Sequence, residues 1–331
     1  MWEWVNSRPQ YCLKFGIDSI AWAETEWNWR GYRRHRCIIS ALSNGMVKPS
    51  PIVENLSQLP ELAKRILSIT GSGSDDNITG APALSGPPRR ITVLLPDTAV
   101  RATVLYLEQL PSRREDREAL IRWRLGQEQL FPLNGAKIMS HVPHNQWCGS
   151  QRAFTVLTVA IQESVLRQYE ALCESVGLIP HDVGITSLRL FNLWRRTSGR
   201  SDWKRRDVFW VSISDHALTT MICQRGRLLF YRCKLLGTKT DGVLAATDML
   251  NKILEECGAS LAFYRQQYPS AIIKEAVICA DEDMPVLKER MKAELLLSVE
   301  QLGWESVEAL GRVAKGSHGG MASLAAMAGV A

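Results

Sequence analysis

The chain of 331 residues carries 40 Lys and Arg against 34 Asp and Glu, a formal net charge of +6, and 46% of its residues are hydrophobic. This composition excludes a disordered protein and provides enough apolar side chains for two domains or for one large bilobal domain. The positive excess is small and dispersed, so it predicts neither a nucleic-acid surface nor a membrane surface.

The cysteines and the N-terminal segment limit the class of protein further. Eight cysteines lie far apart, mostly within apolar runs, and no Cys-x-x-Cys pair occurs. This spacing argues against a zinc or thioredoxin-like site and favours reduced core thiols in a cytosolic protein. The segment MWEWVNSRPQ is not typical of a signal peptide, and no window approaches the roughly 20 apolar residues of a spanning helix. We therefore expect a soluble protein, or one that is attached to a membrane only through a partner.

The first predicted elements are three antiparallel strands. Apolar and polar residues alternate over Tyr11–Phe15, Ile20–Trp27 and Arg36–Ser40, which is the pattern of half-buried strands. A helix is predicted over 60–69, where Pro60 stands at its start. The following residues, GSGSDDNITGAPALSGPPRR, are rich in Gly, Ser and Pro and predict a flexible loop at about 70–90.

Four strands and one long helix are predicted in the next part of the chain. The helix begins at Ser112, which forms a capping box with Glu115, and ends before Pro132. The predicted strands are Ile91–Leu95, Val100–Leu107, Lys137–His144 and Arg152–Ala160.

The remaining pattern repeats the order of strands followed by helices. A helix over Gln162–Val176 ends at Gly177, and a strand and a short helix follow over 178–196. The later predicted strands are Val208–Ser214, Leu218–Gln224, Arg227–Leu236 and Ile272–Cys279, with helices at about 243–268 and 284–298. Two α/β halves in tandem predict a bilobal actin-like (ribonuclease H-like) architecture rather than a doubly wound dinucleotide-binding fold.

One segment carries a specific family resemblance. The segment LPDTAVRATVLYLEQLPSRREDREALIRWRLGQEQLFPLNGAKIMSHV resembles the PilM family of type IV pilus assembly proteins. The shared features are two strands ending in Leu-Pro, an amphipathic helix rich in acidic residues, and a Phe-Pro-Leu exit. The segments RGRLLFYR, SLAFYRQQYP, AVICA and SLAAMAGVA follow in the family's order. Relatives occur in mannose-sensitive pilus biogenesis and in the cytoplasmic part of type II secretion L proteins.

The resemblance implies a domain organisation with a small inserted α+β subdomain. The first actin-like lobe takes residues 1–90, the inserted subdomain 91–160, the rest of the first lobe 161–200, and the second lobe 205–331. The lid subdomain of the second lobe is expected to be reduced, because only about a dozen residues separate Gly237 from Leu250.

The resemblance also places the first nucleotide motif, and this chain departs from it. The family's first phosphate loop reads roughly G-x-D-x-G-S-S-x-x-K, in which Gly permits a close approach of phosphate. Here Gly16, Ile17 and Asp18 lead directly to Ser19, so we expect a turn shortened by two residues, with Ala21 at the lysine position.

The second and third motifs depart as well. The pattern D-x-G of the second phosphate loop aligns with Ser212, Ile213 and Ser214, which removes an indirect Mg²⁺ ligand and adds a side chain near phosphate. Asp215 could substitute for the missing acid, or it could be a plain turn residue. The expected Gly-Gly pair is replaced by Asp281, Glu282 and Asp283, which could equally favour the start of the following helix.

These departures predict a remnant cleft formed by Asp18, Ser19, Ser212, Ser214 and Asp215, with no cofactor and no metal. We expect a non-catalytic scaffold of a type IV pilus or related secretion platform, peripheral to the inner membrane on its cytoplasmic side. The expected partners are a PilN-like single-span membrane protein and other platform proteins. The partner groove is predicted from the resemblance at Leu130, Phe131 and Pro132 and along the strand with Ile91, Val93 and Leu95.

Two alternatives stay open on the sequence. One is an actin-like ATP-binding protein or weak ATPase that uses Asp18, Ser19 and Asp215 with Mg²⁺. The other is a nucleic-acid-binding protein, suggested by cations beside aromatics at 30–36, 194–196 and 203–206, although solvated strand ends account for these runs more simply. His141 and His144 lack a Cys or carboxylate at metal-ligand spacing.

Overall fold

The computed structural model describes residues 10–27, 33–71, 88–127, 131–142, 154–198, 203–237, 246–269, 271–280, 284–303, 312–313 and 320–330. The strands are, in chain order, β1 (Tyr11–Phe15), β2 (Ser19–Trp27), β3 (Arg33–Ala41), β4 (Arg89–Leu95), β5 (Arg101–Leu107), β6 (Ala136–His141), β7 (Phe154–Gln162), β8 (Leu178–Ile185), β9 (Asp207–Ser214), β10 (Ala217–Gln224), β11 (Arg227–Leu235), β12 (Glu275–Ala280), β13 (Ser298–Gln301) and β14 (Arg312–Val313). The helices are α1 (Leu59–Thr70), α2 (Arg114–Gln127), α3 (Glu163–Ser175), α4 (Thr186–Thr197), α5 (Ala246–Gln267), α6 (Pro285–Leu295) and α7 (Gly320–Val330).

The first lobe is built on a six-stranded sheet in the order β14-β3-β2-β1-β4-β8. Strands β1, β2 and β3 pair antiparallel, whereas β4 pairs in parallel with both β1 and β8. Central strand β4 is buried from Ile91 to Leu95, as expected for a strand covered on both faces. The helix α1 begins with Leu59 and Pro60 and ends at Gly71, whose φ of +74° is the usual geometry of a helix C-terminus.

The second lobe repeats this plan with a five-stranded sheet in the order β11-β10-β9-β12-β13. Its first three strands are antiparallel, and β9, β12 and β13 are parallel. In each lobe the antiparallel hairpins therefore come first and the parallel strands later, which agrees with the predicted duplicated halves.

The inserted subdomain is smaller than the sequence suggested. A three-stranded antiparallel sheet, β5-β7-β6, packs with α2 around Leu105, Ile121 and Leu125. Strand β4 belongs to the first-lobe sheet, so the insertion begins only after the short 3₁₀ turn Asp97–Ala99, and the predicted boundary at residue 91 is corrected. Parallel pairing of β4 with β1 and β8 decides this, and such long-range pairing leaves no local signal.

Helix α7 joins the two ends of the described chain. Its residues 324–330 are buried, and it packs on β1, β2, β3, β4 and α4. Small residues allow this close approach, since a Cβ built at Gly329 would lie 2.3 Å from the Cys12 Sγ. The core of the first lobe therefore includes residues from both ends of the chain.

An aromatic cluster lies between the lobes below the cleft. Trp194 and Phe191 of α4 pack on Trp210 of β9, with ring centroids 6.0 and 5.5 Å apart. Buried residues of both lobes thus form one continuous apolar cluster. The indole nitrogens of Trp194 and Trp210 have no hydrogen-bond partner among the described residues.

Several local expectations are adjusted by the structure. Helix α2 begins at Arg114 rather than at Ser112, and the short strands β13 and β14 were not expected. The predicted flexible loop lies almost entirely in 72–87, outside the described residues, as do the acidic residues 281–283 and most of the chain between Gly237 and α5. Within the described ranges, no helix combines the length and apolar character that crossing a bilayer requires.

The described cysteines are mostly buried and none forms a disulfide. Burial raises the pKa of the Cys223 and Cys257 thiols to about 12, because the thiolate is poorly solvated in an apolar interior. These thiols are therefore protonated at neutral pH, in agreement with the predicted core role.

Candidate functional site

Two hairpin turns, one from each lobe, meet at the mouth of the interlobe cleft. The β1–β2 turn spans residues 16–19 and is closed by a 2.8 Å hydrogen bond from the Gly16 amide to the Ser19 carbonyl. The β9–β10 turn consists of Asp215 and His216, since Ser214 and Ala217 are paired across the strands. These turns occupy the positions that the sequence predicted for the two phosphate loops.

A buried ion pair joins the two turns. The Lys14 Nζ donates to both Asp215 carboxylate oxygens, at 2.8 and 3.1 Å. The two side chains are only 2% and 8% exposed. A buried charge is stable only when it is paired, so each of these residues depends on the other lobe for its partner.

Two further hydrogen bonds join the same turns. The Ile17 amide donates to the Asp215 Oδ1 at 3.2 Å, and the His216 Nε2 lies 2.8 Å from the Asp18 Oδ2. We call these five residues, Lys14, Ile17, Asp18, Asp215 and His216, the clasp. The clasp connects the first lobe directly to the second.

The second turn holds a backbone conformation that its residues do not prefer. Asp215 and His216 have φ angles of +51° and +54°, as a two-residue hairpin of type I′ requires. Asn-Gly or Asp-Gly is favoured in such a turn because a positive φ strains most L-residues. Strained backbone of this kind persists where the surroundings stabilise it, and here the clasp provides that stabilisation.

Gly16 permits the close approach of the two turns. A Cβ at this position would lie 2.5 Å from the Asp215 Oδ1 and 2.9 Å from the Lys14 Nζ. Both contacts are too short for any side chain, so a residue larger than Gly would push the clasp apart.

The first hairpin pairs Lys14 of β1 directly with Ala21 of β2. Gly16, Ile17 and Asp18 form the turn between Phe15 and Ser19, so the cation of the clasp lies in the strand that precedes the turn. The expected shortening of this turn by two residues stays a prediction.

A pocket of about 250 Å³ remains beside the clasp. Of the residues predicted for the remnant cleft, Asp18, Ser19, Ser214 and Asp215 line it, and Leu236, Met249, Ile253 and Met284 form its apolar side. Ser212 does not line the pocket: it is buried in β9, and its hydroxyl has no partner among the described residues. The volume is below the roughly 300–1,000 Å³ of typical small-molecule sites.

A buried carboxylate near the cleft was not anticipated. Asp97 follows β4, and its Oδ1 accepts hydrogen bonds from the Ser187 Oγ at 2.5 Å, the Ser187 amide at 3.3 Å and the Tyr231 hydroxyl at 3.1 Å. Ser187 lies in the first turn of α4 in the first lobe, whereas Tyr231 belongs to β11 of the second. Burial outweighs these hydrogen bonds and raises the pKa of Asp97 to about 6.

Most of the residues predicted to contact a partner are not accessible. Ile91, Val93 and Leu95 are buried within the central strand β4, and Phe131 is buried as well. This part of the prediction is corrected, since a strand covered on both faces cannot present side chains to a partner. Pro132 is exposed, and Leu130 lies outside the described residues.

The boundary between the first lobe and the inserted subdomain is nevertheless well defined. Gln162, the last residue of β7, donates its backbone N–H to the Pro51 carbonyl and its side-chain Nε2 to the Pro132 carbonyl, each at 2.9 Å. One residue therefore holds a first-lobe loop next to the Phe-Pro-Leu segment. We call these two hydrogen bonds the junction.

The first-lobe loop at the junction displays two aliphatic side chains on a well-anchored backbone. Ile52 and Val53 are 49% and 61% exposed. The Ser50 Oγ accepts from both of their amides, and the Asn55 side chain accepts from the Ser50 amide and donates to the Tyr169 hydroxyl. We call residues 51–54 the loop tip. The loop tip therefore presents two branched aliphatic side chains on a backbone that is held in place by hydrogen bonds.

Two of the aromatic residues considered for nucleic-acid stacking are buried, and Tyr32 in the run 30–36 lies outside the described residues. Trp194 and Trp203 are 1% and 8% exposed. Arg195 stacks on Trp203 at 3.9 Å, and Arg206 lies over Trp194 and pairs with Glu275 and Glu300. These cations are engaged within the fold, so they do not form the exposed stacking surface that single-stranded nucleic acid requires. Within the described ranges, no group of three or more His, Cys, Asp or Glu side chains could hold a metal ion.

Comparisons with solved structures identify the fold. A chain of a PilM-PilN type IV pilus biogenesis complex superposes with a TM-score of 0.71 at 13% identity, covering 98% of this chain and 100% of its own. A protein of unknown function with an actin-like ATPase fold from Bacteroides thetaiotaomicron gives a TM-score of 0.50 at 15% identity, covering 94% and 98%. The predicted bilobal actin-like fold is therefore confirmed.

A third structure is less similar, and the sequence itself adds no match. The cytoplasmic domain of EpsL, an inner-membrane component of the type II secretion system of Vibrio cholerae, gives a TM-score of 0.43 at 10% identity, covering 81% of this chain and 80% of its own. No protein-family model and no curated protein matches the sequence.

Proposed function

We propose that the protein is a non-catalytic cytoplasmic scaffold of a type IV pilus or related secretion platform, and that it binds the cytoplasmic tail of a PilN-like membrane protein. The likeness to a chain of a PilM-PilN complex over the whole length supports the pathway. The observation that carries the non-catalytic part is the Asp215 carboxylate, which fills the space between the two turns.

The clasp makes the cleft unsuitable for a nucleotide phosphate. An actin-like phosphate site offers backbone amides and cations to phosphate oxygens. Here the Ile17 amide and the Lys14 ammonium already donate to the Asp215 carboxylate. An incoming phosphate would displace that carboxylate and would then lie beside an unpaired negative charge in a buried site, which is unfavourable.

The acidic position of the second motif argues equally against magnesium. Mg²⁺ prefers carboxylate and phosphate oxygens in a near-octahedral arrangement. The acid of the second motif is replaced by Ser212, whose hydroxyl is buried in a strand, and the neighbouring Asp215 carboxylate is already paired with the Lys14 ammonium. The residues present therefore do not fit a Mg-nucleotide.

A thermal-shift titration tests the non-catalytic assignment. We expect the melting temperature to stay unchanged with millimolar Mg-ATP or Mg-ADP. A nucleotide that did bind would raise it measurably, because a ligand at a hundred times its Kd adds about 2.7 kcal/mol of stability. An actin-like ATPase measured in parallel serves as the positive control. A saturable increase that requires Mg²⁺ would instead support the ATP-binding alternative.

The partner surface is best assigned to the loop tip and the exposed Pro132, which the junction holds side by side. An extended tail placed there would cover Ile52 and Val53 while remaining anchored to both the first lobe and the inserted subdomain. This placement keeps the predicted Phe-Pro-Leu segment and replaces the buried strand β4 with an accessible loop.

Single substitutions at the loop tip test this surface. We expect Ile52→Asp and Val53→Asp each to weaken binding of a fluorescent PilN-like tail peptide by about tenfold or more, since truncating a central interface anchor often exceeds 2 kcal/mol. Ile272→Asp, at a residue 67% exposed on the second lobe, provides the matched control. If both loop-tip variants bind the peptide as tightly as the wild-type protein and Ile272→Asp do, the tail binds elsewhere. If the wild-type protein does not bind the peptide, the partner assignment is contradicted.

Association with the inner membrane would follow from that partner. No described helix meets the requirements for a span, and the proposed tail belongs to a protein that crosses the membrane itself. The scaffold would thus be held at the cytoplasmic face through the tail and through other platform proteins.

A further inference from the structure

The end of the second-lobe sheet opposite the clasp collects basic segments of the chain. Strand β9 runs from this end to the clasp. Strands β11, β12 and β13 also begin at this end and β10 ends at it, because β10 pairs antiparallel with β9 and β11, and β12 pairs in parallel with β9 and β13. The segment 203–206, which leads into β9, and the β10–β11 turn of Arg225 and Gly226 therefore lie together.

Trp203 holds these segments against the C-terminus of α4. The Arg195 guanidinium of α4 lies over its ring at 3.9 Å. A Cβ built at Gly226 would lie 3.2 Å from the same ring and 3.4 Å from the Lys204 side chain, so the β10–β11 turn rests directly on both residues. Cations that are dispersed along the sequence are thus brought to one surface.

The carboxylates at this surface are already bonded within the fold. Arg206 pairs with Glu275 and Glu300, and Asp207 accepts a hydrogen bond from the Arg225 amide. Five exposed cations at the same end have no ion-pair partner among the described residues. We call them the basic end: Arg196, Lys204, Arg205, Arg225 and Lys274.

Two exposed aliphatic side chains accompany the basic end. Ile272 lies just before β12 and is 67% exposed, and Leu296 lies just before β13 and is 80% exposed. The next residues, Ile273 and Leu297, are buried in the core. Leu296 also has a φ of +58°, a conformation that strains a leucine. Its side chain adds little to the core, so it is free to make an apolar contact outside the protein.

We propose that the basic end, together with Ile272 and Leu296, binds the surface of an anionic phospholipid bilayer. Basic side chains are attracted by the negative potential of such a membrane, while aliphatic side chains enter its headgroup region. Single-stranded nucleic acid fits less well, because the Trp203 ring lies buried beneath Arg195 and cannot stack on a base. The inference goes beyond the proposed function, since the contact needs no tail peptide.

Co-sedimentation of the full chain with lipid vesicles tests the proposal. We expect binding to vesicles of phosphatidylglycerol and phosphatidylcholine and no binding to phosphatidylcholine alone. Binding to the anionic vesicles should weaken as salt is added, because salt screens the attraction between exposed charges.

A variant that removes three of the cations locates the contact. In Lys204→Gln/Arg205→Gln/Arg225→Asn no ion pair is lost, and the new Asn-Gly turn suits the φ angles of +47° and +76° at residues 225 and 226. We expect it to bind the anionic vesicles about a hundredfold more weakly, since each basic side chain near the membrane contributes roughly fivefold. The matched control removes three exposed lysines elsewhere: Lys48→Gln/Lys64→Gln/Lys137→Gln. It should lose less than about threefold, because a Debye length of about 8 Å screens distant charges.

The apolar part of the contact has its own variant. Leu296→Asn removes the exposed side chain and places at the positive φ a residue that tolerates it. We expect vesicle binding to weaken by about threefold or more, because binding strength grows with the apolar area that enters the membrane. Val286→Asn, at a residue 56% exposed at the other end of α6, is the control and should bind as the wild-type protein does.

The outcomes are distinct from those of the tail-binding experiment. Failure of the wild-type protein to bind the anionic vesicles would overturn the proposal, as would equal binding by the basic-end variant and its control. Tighter binding to duplex DNA than to the vesicles would assign the basic end to nucleic acid instead. A protein that binds the vesicles but not the tail peptide would contradict the proposed partner and leave the membrane contact in place.

Discussion

Replacing Lys14 by Met is expected to lower the free energy of unfolding by about 3–5 kcal/mol, the range found when one partner of a buried ion pair is removed. The Asp215 carboxylate is only 8% exposed, and it would lose its ion pair with the Lys14 ammonium while it remains in the interior. Chemical denaturation at neutral pH measures the change. Asp215→Asn should be destabilising for the same reason, since it leaves a buried ammonium.

The double variant distinguishes the ion pair from simple packing. Lys14→Met/Asp215→Asn contains no buried charge and keeps an acceptor for the Ile17 amide, so we expect its stability to lie within about 1 kcal/mol of the wild-type protein. Lys292→Met, at the surface, should change stability by less than about 0.5 kcal/mol. Additive losses in the double variant would show that the two charges do not interact.

The second large effect concerns Asp97 and pH. Its pKa rises from 3.8 in the unfolded chain to about 6 in the folded protein. Between these values the folded protein binds a proton that the unfolded chain has lost, so the contribution of Asp97 is present below pH 4 and is lost as the pH rises through 6. Relative to Asp97→Asn, the wild-type protein should lose about 2–3 kcal/mol between pH 4 and pH 7.

The asparagine variant is well suited to this comparison. All three donors, from Ser187 and Tyr231, address the Oδ1, so an amide oxygen at the same place can accept all of them. Asp97→Asn should therefore be at least as stable as the wild-type protein at pH 7, and the difference should vanish near pH 4. Asp97→Ala, which leaves those donors unpaired, should be about 2–4 kcal/mol less stable than Asp97→Asn at both pH values. A pH-independent difference between the Asp and Asn proteins would contradict the assigned pKa.

The sequence predicted the local elements well because their signals are local. Alternation over β1 and β2, the helix end at Gly177 and the order of strands and helices all arise from signals within a few residues. The placement of β4 in the first sheet could not be read in the same way, since its partners β1 and β8 are distant in the chain. The buried Val93 was accordingly mistaken for a groove residue.

The site was predicted in part, and for an identifiable reason. Asp18, Ser19, Ser214 and Asp215 were correctly expected to line one cleft, because the family pattern places two turns opposite each other. The clasp itself was missed, since Lys14 lies inside a strand and its partner is 201 positions later in the chain. A lysine in an otherwise apolar strand, opposite Ala21, is the signal that could have revealed it.

The packing of α7 has a consequence for how the protein is made. Cys12 on the first strand meets Gly329 near the end of the described chain, so the first lobe cannot close its interior until the ribosome has synthesised residues 320–330. The nascent first lobe would expose one face of its sheet until those residues emerge, a state prone to aggregation that chaperones protect. Premature stops in the last helix should therefore reduce the yield of the whole protein rather than merely shorten its second half.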